Sequence, residues 1–182
     1  MKDATRIDRR RMLALTAAGT VATLSGGARA ALTTEGERRL AFYNLHTGEA
    51  LTATYWLDGG YVAEEMRRID RMLRDFRTGE AIGMDPKLMD LLYGVRRHLG
   101  ANEPFHVVSG YRSLRTNAAL RKASEGVAVH SLHTVGRAID IRIPGKRLGD
   151  VRRAALALGK GGVGYYPKSD FVHLDTGRVR IW

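Results

Sequence analysis

The sequence predicts an α+β fold, a small antiparallel sheet with flanking helices. Three observations carry that prediction: a β-prone hairpin near the start of the folded region, two amphipathic helices after it, and short apolar runs alternating with turn residues from Phe105 onward. The 182 residues allow one domain and leave little room for a second. With 44% hydrophobic and 27% charged residues, the balance is that of a globular chain able to bury a core.

Taken in order, the first element is not part of that fold. Arg9, Arg10 and Arg11 precede an apolar, small-residue run from Met12 to Leu24, too short for the roughly 20 residues that span a bilayer. Ala28-Arg29-Ala30 supplies the small residues of a cleavage site. Residues 1–30 therefore read as a twin-arginine-type signal peptide, and residues 31–182 as the mature domain. The alternative is a basic amphipathic N-terminus that stays attached.

The hairpin comes next: Leu40 to Asn44 and Ala50 to Tyr55 are β-prone and are joined by a turn at His46-Thr47-Gly48. Val62, Met66, Ile69, Leu73 and Phe76 follow at spacings of three and four, which puts them on one helical face. A second helix is bounded by Asp85 as N-cap, Pro86 at the first helical position and Gly100 as its stop. Its stripe is Leu88, Leu91, Leu92, Val95 and Leu99. Phe105 to Ser109, Ala138 to Ile143, Gly162 to Tyr166 and Phe171 to Asp175 read as strands, and Thr116 to Ala123 and Leu148 to Leu158 as helices between them.

Charge and cysteine usage narrow the partners. The formal net charge is +11, of which residues 1–30 carry +4, leaving +7 on the mature chain. Such an excess suits nucleic acid, an anionic cell wall, or simply a solvated basic surface; the export signal favours the wall, so no nucleic-acid partner is expected. The chain has no cysteine, which excludes disulfides, thiolate metal ligands and a lipid at a processed N-terminus. The mature protein is expected to be monomeric, periplasmic and without a membrane anchor. There is no phosphate loop of Walker type, no Gly-x-Ser-x-Gly elbow and no His-Glu-x-x-His helix.

The chemistry-bearing residues cluster in Ser131-Leu132-His133-Thr134-Val135-Gly136-Arg137-Ala138-Ile139-Asp140 and in Phe171-Val172-His173-Leu174-Asp175. Two imidazoles and a carboxylate suit zinc, and a catalytic zinc site keeps three protein ligands with its fourth place open. Spacing alone leaves His133 and Asp140 a common coincidence. The motifs Ser109-Gly110-Tyr111-Arg112-Ser113, Ser131-x-His133-x-x-Gly136-x-Ala138-x-Asp140 and Phe171-Val172-His173-x-Asp175 are more specific. Together with Asn44-Leu45-His46-Thr47-Gly48-Glu49, Gly161 to Pro167 and Trp182, they resemble the zinc D,D-peptidase family over nearly the whole mature chain. That family takes in D-alanyl-D-alanine carboxypeptidases, phage endolysins and the hedgehog signalling fold, and the resemblance is greatest to its exported murein endopeptidases.

The resemblance implies that His133, Asp140 and His173 ligate Zn²⁺, which polarises a peptide carbonyl and lowers the pKa of bound water. It implies that Arg112 stabilises the oxyanion, a role whose loss typically costs about 10² to 10³ in rate. It places the general base at Asp170, with Asp175 as second candidate or, otherwise, as the group that orients a ligand. Ser131 either contacts substrate or caps its loop, Tyr166 lines the groove or packs in the core, and Gly136 permits a backbone bend. His46, His98, His106 and His130 are expected to be structural or solvated. The implied substrate is the peptide stem of peptidoglycan, with diaminopimelate-containing cross-links favoured. A carboxypeptidase of the same fold and a non-catalytic wall-binding module are the alternatives.

Overall fold

The hairpin forms where alternation demands it. In the computed structural model, which describes residues 36–123 and 126–182, β1 (Glu37–Asn44) and β2 (Ala50–Leu57) pair antiparallel, with Leu40 opposite Ala53. Leu40 and Phe42 of β1 and Ala53 and Tyr55 of β2 are buried, so one face of the hairpin carries the core. A two-residue strand, β3 (Gly60–Tyr61), extends it. The leader expected over residues 1–30 lies outside the described residues. Among those described, no helix is long and apolar enough to cross a membrane.

Helix α1 (Ala63–Met72) buries Met66, Ile69 and Met72, and Leu73 caps its end. Phe76 therefore lies beyond the helix, stacked on His46 at 3.8 Å. Helix α2 (Pro86–Leu99) begins as its sequence specifies: the Asp85 side chain accepts from the Lys87 N–H, and Gly100 ends it in the left-handed region. Its stripe of Leu88, Leu91, Leu92 and Val95 is fully buried, each such side chain contributing about 1.5–3 kcal/mol by leaving water.

The second half supplies β4 (Phe105–Ser109), α3 (Leu114–Ala123), a 3-10 turn (Leu132–Val135), β5 (Ala138–Arg142) and α4 (Leu148–Ala157). It ends with β6 (Gly162–Tyr166), β7 (Phe171–Asp175) and β8 (Arg180–Ile181). Val107, Ile139, Ile141, Val163, Val172 and Leu174 enter the same core as α1, α2 and α4.

The class is α+β as the sequence predicts, but the sheet is not small. Eight strands run in the order β3-β2-β1-β4-β5-β7-β6-β8. Most pairs are antiparallel; β1 with β4 and β6 with β8 are parallel. The expectation of a small sheet falls short because parallel pairing joins segments remote in sequence. It also falls short because β3 and β8 are two residues long and leave no periodic pattern.

Candidate metal centre

Strand register assembles the site. Asp140 lies opposite Ser109 on one side and opposite His173 on the other, and His173 lies opposite Gly164. Directly opposed residues share a face, so these four form one transverse row across β4, β5, β7 and β6. Because Ile139, Ile141, Val172 and Leu174 alternate with them into the core, the row faces away from it. A bulge between Val107 and Ser109 re-aims the end of β4 next to the site.

His133 reaches that row from the 3-10 turn. The Ser131 hydroxyl accepts from the His133 N–H at 3.4 Å and caps the turn, and Gly136 closes it at φ +69°. A Cβ at Gly136 would meet the Gly83 carbonyl oxygen at 2.5 Å, so the bend needs glycine for space as well as for conformation. The loop after β4 is pinned along its length. Tyr111 donates to the Leu73 carbonyl, Arg112 to the His133 carbonyl and Ser113 to the buried Asp75 carboxylate. The Gly110 carbonyl in turn receives Nδ1 of His133 at 2.7 Å.

The three candidate ligand atoms form a near-equilateral triangle. His133 Nε2 lies 3.3 Å from Asp140 Oδ1 and 3.2 Å from His173 Nδ1, and His173 Nδ1 lies 2.8 Å from Asp140 Oδ1. A tetrahedral ion with donors at about 2.0–2.1 Å holds any two of them about 3.3 Å apart, so the triangle is of the right size.

Protonation makes the same argument independently. A carbonyl only accepts, so His133 carries its hydrogen on Nδ1 and turns a lone pair on Nε2 to the centre. His173 Nε2 faces the Asp175 carboxylate at 2.9 Å and donates to it, so a neutral His173 presents Nδ1 as a second lone pair. Asp140 Oδ1 is the third. Burial opposes the Asp140 charge, but the hydrogen bond from His173 and the Arg112 guanidinium outweigh it and hold the carboxyl well below the usual range. Burial pushes the His133 ring toward its neutral form. Burial acts the same way on His173, yet hydrogen bonds to Asp140 and Asp175 outweigh it and raise that pKa. In the protein alone a proton on His173 bridges these acceptors, and a cation that takes all three releases it. The three side chains are thus able to hold a metal ion.

The other predicted residues lie around this triangle. Arg112 donates through Nε to the Ser109 hydroxyl at 2.8 Å and through its terminal nitrogen to Asp140 Oδ2, which leaves Oδ1 as the free ligand atom. Asp175 is fully buried and accepts from His173, Arg180 and the N–H groups of Gly162 and Gly177. Burial opposes its charge, and those donors overcome it. Asp170 is not brought to the triangle: its exposed carboxylate bonds Arg142 at 2.7 Å. Tyr166 sits on the same face, stacked on Phe171 at 4.6 Å. His130 is exposed, and His46 Nε2 donates to the Val108 carbonyl at 3.0 Å, so neither joins the cluster.

Sequence reasoning missed four supporting groups. Gly110 lies inside a motif already singled out, and its carbonyl could have been suspected. Asp75, Arg180 and the position of Trp182 beside His173 leave no local signal, because each acts across a tertiary contact.

Comparison with known proteins is consistent with this geometry. The model of a peptidase M15 family, described as peptidoglycan L,D-endopeptidase MepK, matches residues 32–182. The peptidoglycan L,D-endopeptidase MepK of Escherichia coli (strain K12) is 45% identical over 177 residues, covering 96% of this chain and 97% of that protein. The probable peptidoglycan L,D-endopeptidase MepK of Haemophilus influenzae is 42% identical over 163 residues, covering 89% of this chain and 88% of that one.

Proposed function

This chain belongs to the peptidase M15 family described as peptidoglycan L,D-endopeptidase MepK, and from that premise we propose that it is an exported zinc peptidase that hydrolyses peptide cross-links in peptidoglycan. The observation that carries this reading is the convergence of three candidate ligand atoms, from His133, Asp140 and His173, all within 4.8 Å of one another. The fold is read as that of hedgehog and D,D-peptidase domains. Residues 1–30 are read as a twin-arginine-type signal peptide. Its removal delivers residues 31–182 to the periplasm as a monomeric domain without a membrane anchor.

Two nitrogens and one carboxylate oxygen fit zinc better than the oxygen-seeking calcium or magnesium. Zinc in that place supplies a Lewis acid and an activated water at neutral pH. The protein's own residues do the rest. The Gly110 carbonyl and Asp175 hold the two imidazoles in their ligating tautomers. Arg112 occupies the second oxygen of Asp140, and its guanidinium is the charge assigned to stabilise a developing oxyanion. Asp175 is consumed by its four donors, so it orients His173 and is not free to move a proton. Asp170 remains the proposed general base, although its exposed carboxylate is paired with Arg142 and not with the triangle. Ser131 and Tyr166 are assigned to bind the peptide stem, with diaminopimelate-containing cross-links as the favoured substrate.

Digesting purified sacculi with the zinc-loaded protein and resolving the muropeptides tests this. Loss of cross-linked dimers, abolished by chelation, is the expected result. Loss of pentapeptides with dimers intact would make it a carboxypeptidase. Binding to sacculi without any change in muropeptides would make it a wall-binding module.

A further inference from the structure

We propose that Trp182 forms the wall of the substrate groove beside the metal centre and binds the aliphatic flank of the cross-linked peptide. This rests on the peptidase reading above and adds a residue to its substrate site.

The backbone places the indole. β8 pairs parallel with β6, Tyr165 N–H donates to the Trp182 carbonyl at 2.9 Å, and Trp182 N–H donates to the Val163 carbonyl at 3.3 Å. The ring then lies over Gly164, where an added Cβ would come within 2.8–2.9 Å of it. Gly164 is the cross-strand partner of His173. The row that begins with Ser109, Asp140 and His173 is therefore completed by an indole standing where the β6 side chain would be. The centroids of the His173 and Trp182 rings are 5.2 Å apart.

Two further contacts fix the ring. Its Nε1–H donates to the Tyr166 hydroxyl at 2.7 Å, and the Arg180 guanidinium lies 4.7 Å from its centroid. That same guanidinium makes two hydrogen bonds to Asp175, which holds His173. Yet Trp182 stays 46% exposed. A large apolar ring held in one orientation with one side in water stabilises the free protein little. It is preorganised to receive an apolar ligand without an ordering cost at the moment of binding. Tyr166 and Phe171, stacked in the next row, continue the surface along the groove. The side chains of a wall peptide that could lie there are methyl groups and the methylene chain of a diamino acid. Both pack on a flat aromatic face.

With the metal removed the full chain should not cleave, so binding can be measured apart from catalysis. The chain has two tryptophans, and Trp56→Phe leaves Trp182 as the sole reporter. Titrating that variant with purified cross-linked muropeptide dimer is expected to give a saturable change in emission. By calorimetry Trp182→Ala should weaken binding on the order of tenfold, as truncation of a central aromatic contact does, while Trp182→Phe keeps most of the affinity. In the zinc-loaded protein Trp182→Ala should raise KM more than it lowers kcat, with zinc stoichiometry unchanged. Gly164→Ala, which displaces the ring without removing it, should weaken binding too. Silent Trp182 emission on titration, or a metal-competent Trp182→Ala that binds dimer like the parent, overturns the proposal. If the unaltered protein leaves sacculus dimers intact, the peptidase reading fails. If it cleaves them and Trp182→Ala cleaves with the same KM, only this inference fails.

Discussion

Asp90 on α2 and Asp140 on β5 are both carboxylates set among cations and rings, and they differ in what surrounds them. Asp90 accepts from Arg38 at 2.6 Å, from the Tyr55 hydroxyl at 3.1 Å and from the Tyr61 hydroxyl at 2.6 Å, with the Arg38 guanidinium 4.6 Å over the Trp56 ring. Every neighbour brings a hydrogen. Burial and Asp90 push the Tyr61 phenol up to about 12 and raise Tyr55 as well, so both remain donors. Asp140 has Arg112 as its one permanent donor; the ring hydrogen of His133 is spent on Gly110 and that of a neutral His173 on Asp175, so the remaining proton between His173 and Asp140 is the one a cation would replace. A network whose donors and acceptors balance is structure. One with a surplus of acceptors at a single point is a cation site.

The largest effect should follow from removing the surplus. Asp140→Ala takes away one corner of the triangle. One equivalent of bound zinc in the parent and none in the variant, by metal analysis after gel filtration, is expected, together with loss of sacculus digestion. A variant that keeps its metal would break the comparison, because Asp140 would then be as self-contained as Asp90.

A smaller effect is expected one contact further out. Asp175→Asn keeps the shape but offers His173 a group that can donate as well as accept, so the ring is no longer fixed in its ligating tautomer. Metal affinity or activity should drop about 10- to 100-fold, read by competition with a chelating dye. Affinity within twofold of the parent would mean that Arg180 and the backbone, not the tautomer of His173, are what Asp175 serves.

The smallest functional effect should come from the balanced network. Asp90→Ala leaves the buried Tyr55 hydroxyl without its acceptor and should cost about 1–3 kcal/mol in denaturant unfolding. Zinc binding and cleavage should stay at parental values. A drop in either would show that the two ends of the sheet are coupled and that the distinction between them is wrong.

Much of this was legible beforehand for a physical reason. β4, β6 and β7 and the ends of α2 were readable because alternation, an N-cap aspartate with proline after it and a C-terminal glycine are local signals. His133, Asp140 and His173 were legible as candidates because few residue types make good zinc ligands. The position of Asp170 relative to the triangle was not legible, since three residues before His173 places it at a strand start whose side-chain direction depends on the turn. There its φ of 53° and its bond to Arg142 fix where the carboxylate goes.

By itself the sequence determined the class of fold and the elements with a period of their own, because those depend on neighbours within a few residues, and its family resemblance named the candidate metal ligands. Only the tertiary structure decided that β1 pairs with β4, that Arg112 occupies the second oxygen of Asp140, that Gly110 and Asp175 set the tautomers, and that Trp182 stands beside His173. Each of these joins residues far apart in the chain. Strand register, which no local pattern records, brings them within bonding distance.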